Sequence, residues 1–251
     1  MTAARGAIGK LVYLGIIVFG LLTVMPVWWV VTTFMKDRSR VGWPMTPFHW
    51  FLFALLGVKV TTSYPEGFDP RRSAVILSNH QSWLDIPLVT GWVRPVGFLA
   101  KKGLYKIPLL GIPMRRVGCI PVDRKDRKAN ALIGPKMAEM IGKGYSYGVF
   151  PEGTRSVDGS LNKFKTGIFK IVAGQPLEVW PVTIDGAWKV MPKNRFGVFP
   201  GEVKVTVHPA IPARETVRME WNELHDRVRA AIASALPAEA SAPKAEEAPA
   251  S

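Results

Sequence analysis

The chain has 251 residues, 48% of them hydrophobic, and a formal net charge of +14. It is long enough for one sizeable core plus additions, and too apolar for a disordered polyelectrolyte. The single cysteine, Cys119, rules out an internal disulfide framework, and no Cys/His cluster has metal-ligand spacing, so no metal is expected. The balance calls for an anionic partner: phosphate groups, anionic lipid, an acidic carrier protein or nucleic acid.

The N-terminus comes first. Leu11 to Met35 carries no charged residue, and Arg5, Lys10, Lys36, Arg38 and Arg40 flank it. Such a run suits a bilayer core about 30 Å thick. It is too long for a signal-peptide apolar region and no small-residue cleavage site follows. Pro26 permits one kinked span or two shorter arms. Phe48 to Val58 is also apolar but too short to cross straight. Trp28, Trp29, Trp43 and Trp50 are of the type that prefers a membrane interface. The missing polar face argues against a helix of a soluble core. Residues 1–58 are therefore expected to be a membrane-associated helical segment, a single span or a hairpin.

Beyond it the pattern is α/β, over residues 59–236. Strands are predicted at Val58 to Tyr64, closed by Pro65, then Ala74 to Ser78, Val96 to Ala100, Gly118 to Val122 and Val149-Phe150. Leu177 to Ile184 is a strand whose Pro181 points to an edge or a bulge. Val203 to His208 alternates and is a strand. Helices are predicted at Leu84 to Val93, at Asp126 to Lys143 with a break or kink at Pro135, and at Glu215 to Leu236, with Val217, Trp221, Leu224, Val228 and Ile232 at spacings near four. Residues 237–251 form an Ala/Pro/Glu tail expected to be disordered.

Two runs carry chemistry. The first is Ser78-Asn79-His80-Gln81-Ser82-Trp83-Leu84-Asp85. Five residues apart, His80 and Asp85 do not align on one helix. They meet if His80 ends a strand or turn and Asp85 lies on the following helix. A carboxylate on one imidazole nitrogen fixes the tautomer and frees the other as a base. The competing reading is that both merely cap the helix.

The second run, Phe150-Pro151-Glu152-Gly153-Thr154-Arg155-Ser156, follows an apolar strand and reads as a turn for an oxyanion. Arg155 offers a bidentate guanidinium, Gly153 close backbone approach, and Thr154 a hydroxyl. Downstream, a helix starting near Thr166 points amides the same way. A surface turn with a solvated arginine is the plain alternative. Gly144-Tyr145-Ser146-Tyr147-Gly148 is a decoy. It fits the serine-hydrolase pattern, but a nucleophile elbow needs a strand before the serine and a helix after it, and here that order is reversed.

In order along the chain, four blocks together resemble the glycerolipid acyltransferases, specifically the bacterial 1-acylglycerol-3-phosphate type. His80 and Asp85 match the family's His-four-residues-Asp motif. Lys101, Pro108, Gly111 and the run Gly118 to Arg124 match its second block, Phe150 to Ser156 its third, and Val179 to Val182 its fourth. One position departs: Gly103 stands where the family often has Glu. The resemblance implies a mixed sheet flanked by helices and transfer of an acyl chain from a thioester to the sn-2 hydroxyl of 1-acyl-sn-glycerol 3-phosphate. It implies His80 as base, Asp85 as its orienter, and Lys101, Arg155 and Arg124 near the acceptor phosphate, with Glu152, Gly153 and Thr154 in the same substrate-binding turn. A structural pairing of Arg124 with Asp123 stays equally open. No cofactor is implied; the donor is acyl-CoA or an acyl carrier protein. The partners are a lysophospholipid and membrane lipids, at the inner membrane with the catalytic domain facing the cytoplasm. Another acceptor (a lyso-aminolipid or glycerol 3-phosphate) or a non-catalytic lipid-binding protein stays open. Nucleic acid is not expected, because no recognition motif with a basic stripe is present.

Overall fold

The computed structural model describes residues 15, 25–37, 40–122, 131–195 and 197–241. Two helices lead, α1 (Met25–Phe34) and α2 (Thr46–Leu55). Then come β1 (Val58–Ser63), β2 (Val75–Ser78), α3 (Asp85–Leu88), β3 (Gly97–Lys101), α4 (Pro108–Arg116), β4 (Ile120–Val122), α5 (Ile133–Gly142) and β5 (Tyr147–Val149). Following these are α6 (Thr166–Val172), β6 (Val179–Asp185), α7 (Ala187–Val190), β7 (Gly201–Val207), α8 (Ala213–Thr216), α9 (Trp221–Ser234) and α10 (Ala238–Ser241).

Among the described residues the strands form one sheet in the order β1-β7-β6-β2-β5-β3-β4. Every pairing is parallel except β6 with β7. The mixed α/β sheet expected from the sequence is therefore present. Alternation along β2 splits the core between its two faces. Val75 and Leu77 pack with Met137 of α5, Phe169 of α6 and Leu224, Val228 and Ile232 of α9. Ala74 and Ile76 face the other way, against Phe53 of α2, Leu88 of α3 and Val190 of α7. Each large aliphatic side chain so buried contributes about 1.5–3 kcal/mol. Because β2 is central and parallel to β5, β3 and β6, its carboxyl end opens beside theirs, the edge where α/β sheets place ligands.

Several expectations need correction. Pro181 lies in a central strand, not at an edge, but the expected bulge is present: the partner advances three residues from His208 to Ile211 against two from Pro181 to Val179. The Pro181 carbonyl accepts the His208 N–H at 2.9 Å just beyond the end of β7, and pairing resumes at Val179–Ile211. In an antiparallel pair a residue's N–H and C=O face the same neighbour. The donor that proline lacks therefore falls in the gap between those two pairings. The helix expected from Glu215 to Leu236 is two helices: Glu220 has extended backbone (φ −74°, ψ 154°) and α9 begins after it. Of the helix expected from Asp126 to Lys143, residues 126–130 lie outside the described residues; the expected break is present, at Leu132, and Pro135 falls in the first turn of α5, where a missing N–H costs nothing. Helix α4 was not among the elements expected from the sequence; Pro108 opens it and Pro113 is carried inside. In the expected tail, residues 237–241 are structured: α10 lies there, and the Ala240 carbonyl accepts the Leu161 N–H at 2.8 Å; residues 242–251 lie outside the described residues.

Most of the apolar run Leu11 to Met35, together with Asp123 and Arg124, lies outside the described residues. Among the described residues no helix is long and apolar enough to cross a membrane. Val27, Trp29, Val30 and Phe34 of α1 and Trp50, Phe51 and Leu55 of α2 are exposed. Arg116 of α4 ties α1 down, donating to the Trp29 carbonyl at 2.8 Å with its guanidinium 4.6 Å from the Trp29 ring.

Candidate active site

The chain leaving β2 is fastened before it turns. The Asn79 side chain donates to the Ile184 carbonyl and accepts the Ile184 N–H, each at 2.8 Å, pinning the end of β2 to β6. His80 follows, then a tight turn into α3. Asp85, the first residue of α3, is fully buried. Its Oδ2 accepts the backbone N–H of Gln81 at 2.6 Å and of Ser82 at 2.8 Å, while the Ser82 hydroxyl accepts the Leu84 N–H at 3.2 Å. These bonds close the turn from Gln81 to Asp85, while the helix start at Leu84 carries no side-chain cap. The same oxygen lies 2.7 Å from His80 Nδ1. Asp85 therefore closes the turn and holds the ring at once.

Two amides already donate to Oδ2, which makes it the acceptor and places the ring proton on Nδ1. Nε2, on the far side of the ring, is then the basic atom. The His80 side chain is 16% exposed. Burial raises the Asp85 carboxyl above the ordinary carboxylate range, and the bonds from His80, Ser82 and Gln81 oppose that rise. One face of the ring is covered by Phe150, stacked at 4.2 Å between centroids and 13° between planes.

The turn after β5 closes on this loop. Glu152 is buried, and its Oε1 accepts the His80 N–H at 2.7 Å. Its Oε2 accepts both the backbone and the side-chain N–H groups of Asn162, at 3.1 and 2.6 Å. In return the His80 carbonyl accepts the Ser156 N–H at 2.7 Å. Burial pushes the Glu152 carboxyl up to about 7. Glu152 was expected among the substrate-binding residues. Its oxygens accept protein donors, which fastens this turn to the His80 backbone. Gly153 has φ +67°, and a Cβ there would lie 2.7 Å from Lys165 Nζ. Thr154 is exposed, its hydroxyl bonded to Lys193 at 3.1 Å. Arg155 is half-buried, with its guanidinium 4.8 Å from the ring of Trp83, and forms no ion pair among the described residues. Lys101 is exposed at the carboxyl end of β3, on the same edge of the sheet and two strands from β2. Arg124 lies outside the described residues.

Ser146 precedes β5, is buried, and accepts the Ala74 N–H at 2.8 Å. That is a structural bond between strand starts, at the amino-terminal edge of the sheet. His208 bonds the Thr183 hydroxyl at 2.8 Å, and burial lowers its pKa. His49 lies beside Thr90 and is lowered to about 4 by burial. Three contacts escaped sequence reasoning: Phe150 under the imidazole, Trp83 beside Arg155, and Lys193 on the arginine turn. Phe150 and Trp83 stand inside the motifs, where an aromatic reads as core or surface. Lys193 has no motif around it.

The family model described as Acyltransferase matches residues 59–185, half of the chain. The chain belongs to the acyltransferase family. It is 34% identical, over 68% of its length, to a Chlamydomonas reinhardtii protein named 1-acyl-sn-glycerol-3-phosphate acyltransferase, covering 50% of that protein. It is 38% identical, over 55% of its length, to a chloroplastic protein of the same name from Arabidopsis thaliana, covering 39% of it. The chain thus spans half or less of these two relatives. The crystal structure of a 1-acyl-sn-glycerophosphate (LPA) acyltransferase from Thermotoga maritima superposes with a TM-score of 0.78 at 27% identity, covering 92% of this chain and 95% of that one.

Proposed function

We propose that this acyltransferase-family chain moves an acyl group from a thioester, carried by coenzyme A or an acyl carrier protein, to the sn-2 hydroxyl of 1-acyl-sn-glycerol 3-phosphate. The product is phosphatidic acid. His80 Nε2 takes the hydroxyl proton as the oxygen attacks the thioester carbonyl. The tetrahedral adduct collapses, the C–S bond breaks, and the departing thiolate takes the proton back from His80. One ester bond forms, one thioester bond is lost, and the enzyme returns unchanged. Asp85 keeps the ring in the required tautomer and stabilises the imidazolium between the two transfers. General-base work of this kind contributes about a hundredfold to ten-thousandfold. Arg155, with Lys101 on the same sheet edge, binds the acceptor phosphate.

One observation carries the reading: the imidazole held 2.7 Å from a buried carboxylate is bonded through its own backbone to the turn bearing Arg155. Names borne by relatives supply the acceptor class. The exposed aromatic and aliphatic side chains of α1 and α2 support work at a lipid surface, with the acceptor tail in the leaflet and its phosphate at the basic turn. By this reading the protein acts at the cytoplasmic face of the inner membrane.

The test is an assay of purified protein, each thioester donor paired with lysophosphatidate, glycerol 3-phosphate and lyso-aminolipids, products identified by mass. Phosphatidate formation is expected, and His80→Ala should abolish it. Near-normal transfer by His80→Ala would overturn the mechanism. Arg155→Ala should raise the acceptor KM more than the donor KM; the reverse would move Arg155 to the thioester side.

A further inference from the structure

Lys193 follows α7, at the carboxyl edge of the sheet and outside the matched residues 59–185. Its segment touches both motif loops. Two residues earlier, the Met191 carbonyl accepts the Ser82 hydroxyl at 3.1 Å, fixing the segment to the His80–Asp85 turn. The Lys193 ammonium then donates to the Thr154 hydroxyl at 3.1 Å and to the Arg155 carbonyl at 3.0 Å. Lys193 is half-buried, and among the described residues it pairs with no carboxylate.

An ammonium has three donors, and two are spent on the turn. A half-buried cation without a counter-charge is costly to hold beside a second one. Arg155, whose backbone carbonyl Lys193 reaches, brings a second cation to the turn and also lacks an ion pair among the described residues, and Lys165 Nζ stands against the same turn at Gly153. Cations gathered about one short turn favour a ligand with two negative charges over one with a single charge. A phosphate monoester, at about −1.5 to −2 near neutral pH, is such a ligand. A phosphodiester, with one charge, is not.

We propose that Lys193 is a specificity-determining residue of the acceptor site: it holds the Thr154–Arg155 turn and supplies, with Arg155, the second positive charge that selects a phosphate monoester head group. This rests on the acyl-transfer reading and deepens it. Trp83 completes the arrangement by standing against the guanidinium, so Arg155 is steadied from its ring side and from its carbonyl.

The experiment uses the full chain in mixed micelles with two acceptors: lysophosphatidate, and its phosphate methyl ester, which carries a single charge. Lys193→Gln should raise the KM for lysophosphatidate by about tenfold to a hundredfold, the worth of one charge-assisted hydrogen bond. It should change the KM for the methyl ester and for the thioester much less, so the preference for the monoester collapses. Lys193→Arg should restore that preference. Lys193→Met, which keeps the aliphatic stem, provides a second charge-removing variant if the glutamine fails to fold. Equal losses on both acceptors would make Lys193 a structural prop and overturn the inference. So would an unchanged monoester preference in either neutral variant. If the wild type acylates neither phosphate-bearing acceptor, the acyl-transfer reading falls and this inference with it.

Discussion

Glu152 accepts the backbone N–H of His80 at 2.7 Å, across 72 residues of sequence. With the return bond from Ser156 to the His80 carbonyl, it joins the histidine turn and the arginine turn into one rigid unit. A base and a phosphate reader must keep a fixed separation if one substrate is to meet both, and a misplacement of about 1 Å costs on the order of a hundredfold in rate.

That joint is tested by Glu152→Gln. The carboxylate accepts three N–H groups, on two oxygens. An amide has one oxygen, and its NH2 must face a buried donor. The expected loss is about 1–3 kcal/mol in denaturant unfolding, with a lower kcat as His80 shifts. An unaltered midpoint and rate would show that the bond holds nothing.

Glu152 also gives stability a pH dependence. Burial raises its pKa in the fold from the ordinary 4.5 to about 7. The native state therefore keeps a proton that the unfolded chain releases. Its contribution is fully present below about 4.5 and is lost as pH rises through about 7. Compared with Glu152→Gln, wild-type unfolding free energy should decline across that window; a pH-independent difference counts against the assignment.

Asp85→Asn keeps an oxygen for the Gln81 and Ser82 amides and for His80 Nδ1, but removes the charge that stabilises an imidazolium. The acceptor KM should change little, while kcat drops by about a hundredfold to ten-thousandfold. Steady-state kinetics on both substrates decide it, and activity near wild type would mean that Asp85 only closes the turn into α3.

Gly153→Ala puts a side chain at φ +67° and a Cβ 2.7 Å from Lys165 Nζ. Left-handed backbone costs about 1–2 kcal/mol without glycine, and the lysine tip must move as well. The turn bearing Arg155 should distort, raising the acceptor KM ahead of the donor KM. Equal changes in both would place Gly153 away from the acceptor.

Ser146→Ala should leave acyl transfer intact and cost about 1–3 kcal/mol of stability, because the buried Ala74 N–H loses its acceptor. A dead but well-folded variant would restore the serine-nucleophile reading.

The local pattern made much of this legible. The strands around β2 are short apolar runs bounded by turn residues, and the faces of α9 repeat every fourth residue at Leu224, Val228 and Ile232. His80, Asp85 and Arg155 stood in dense motifs whose residue types have few other uses together. Local chemistry read without its neighbours left other features open. Pro181 argued for an edge or a bulge, and only the structure decided for the bulge, which lets it sit in a central strand. No helix was expected at α4, which opens on Pro108 and keeps Pro113 inside.

The sequence by itself determined the α/β alternation, the histidine–aspartate pair and the presence of a cationic turn, because each is written in residues only a few positions apart. Only the tertiary structure decided that Glu152 turns inward to His80, that Phe150 covers the imidazole, and that Lys193 reaches Thr154 and Arg155. Those contacts join segments brought together by parallel strand order, and a partner tens of residues away leaves no periodicity or spacing in the chain to reveal it.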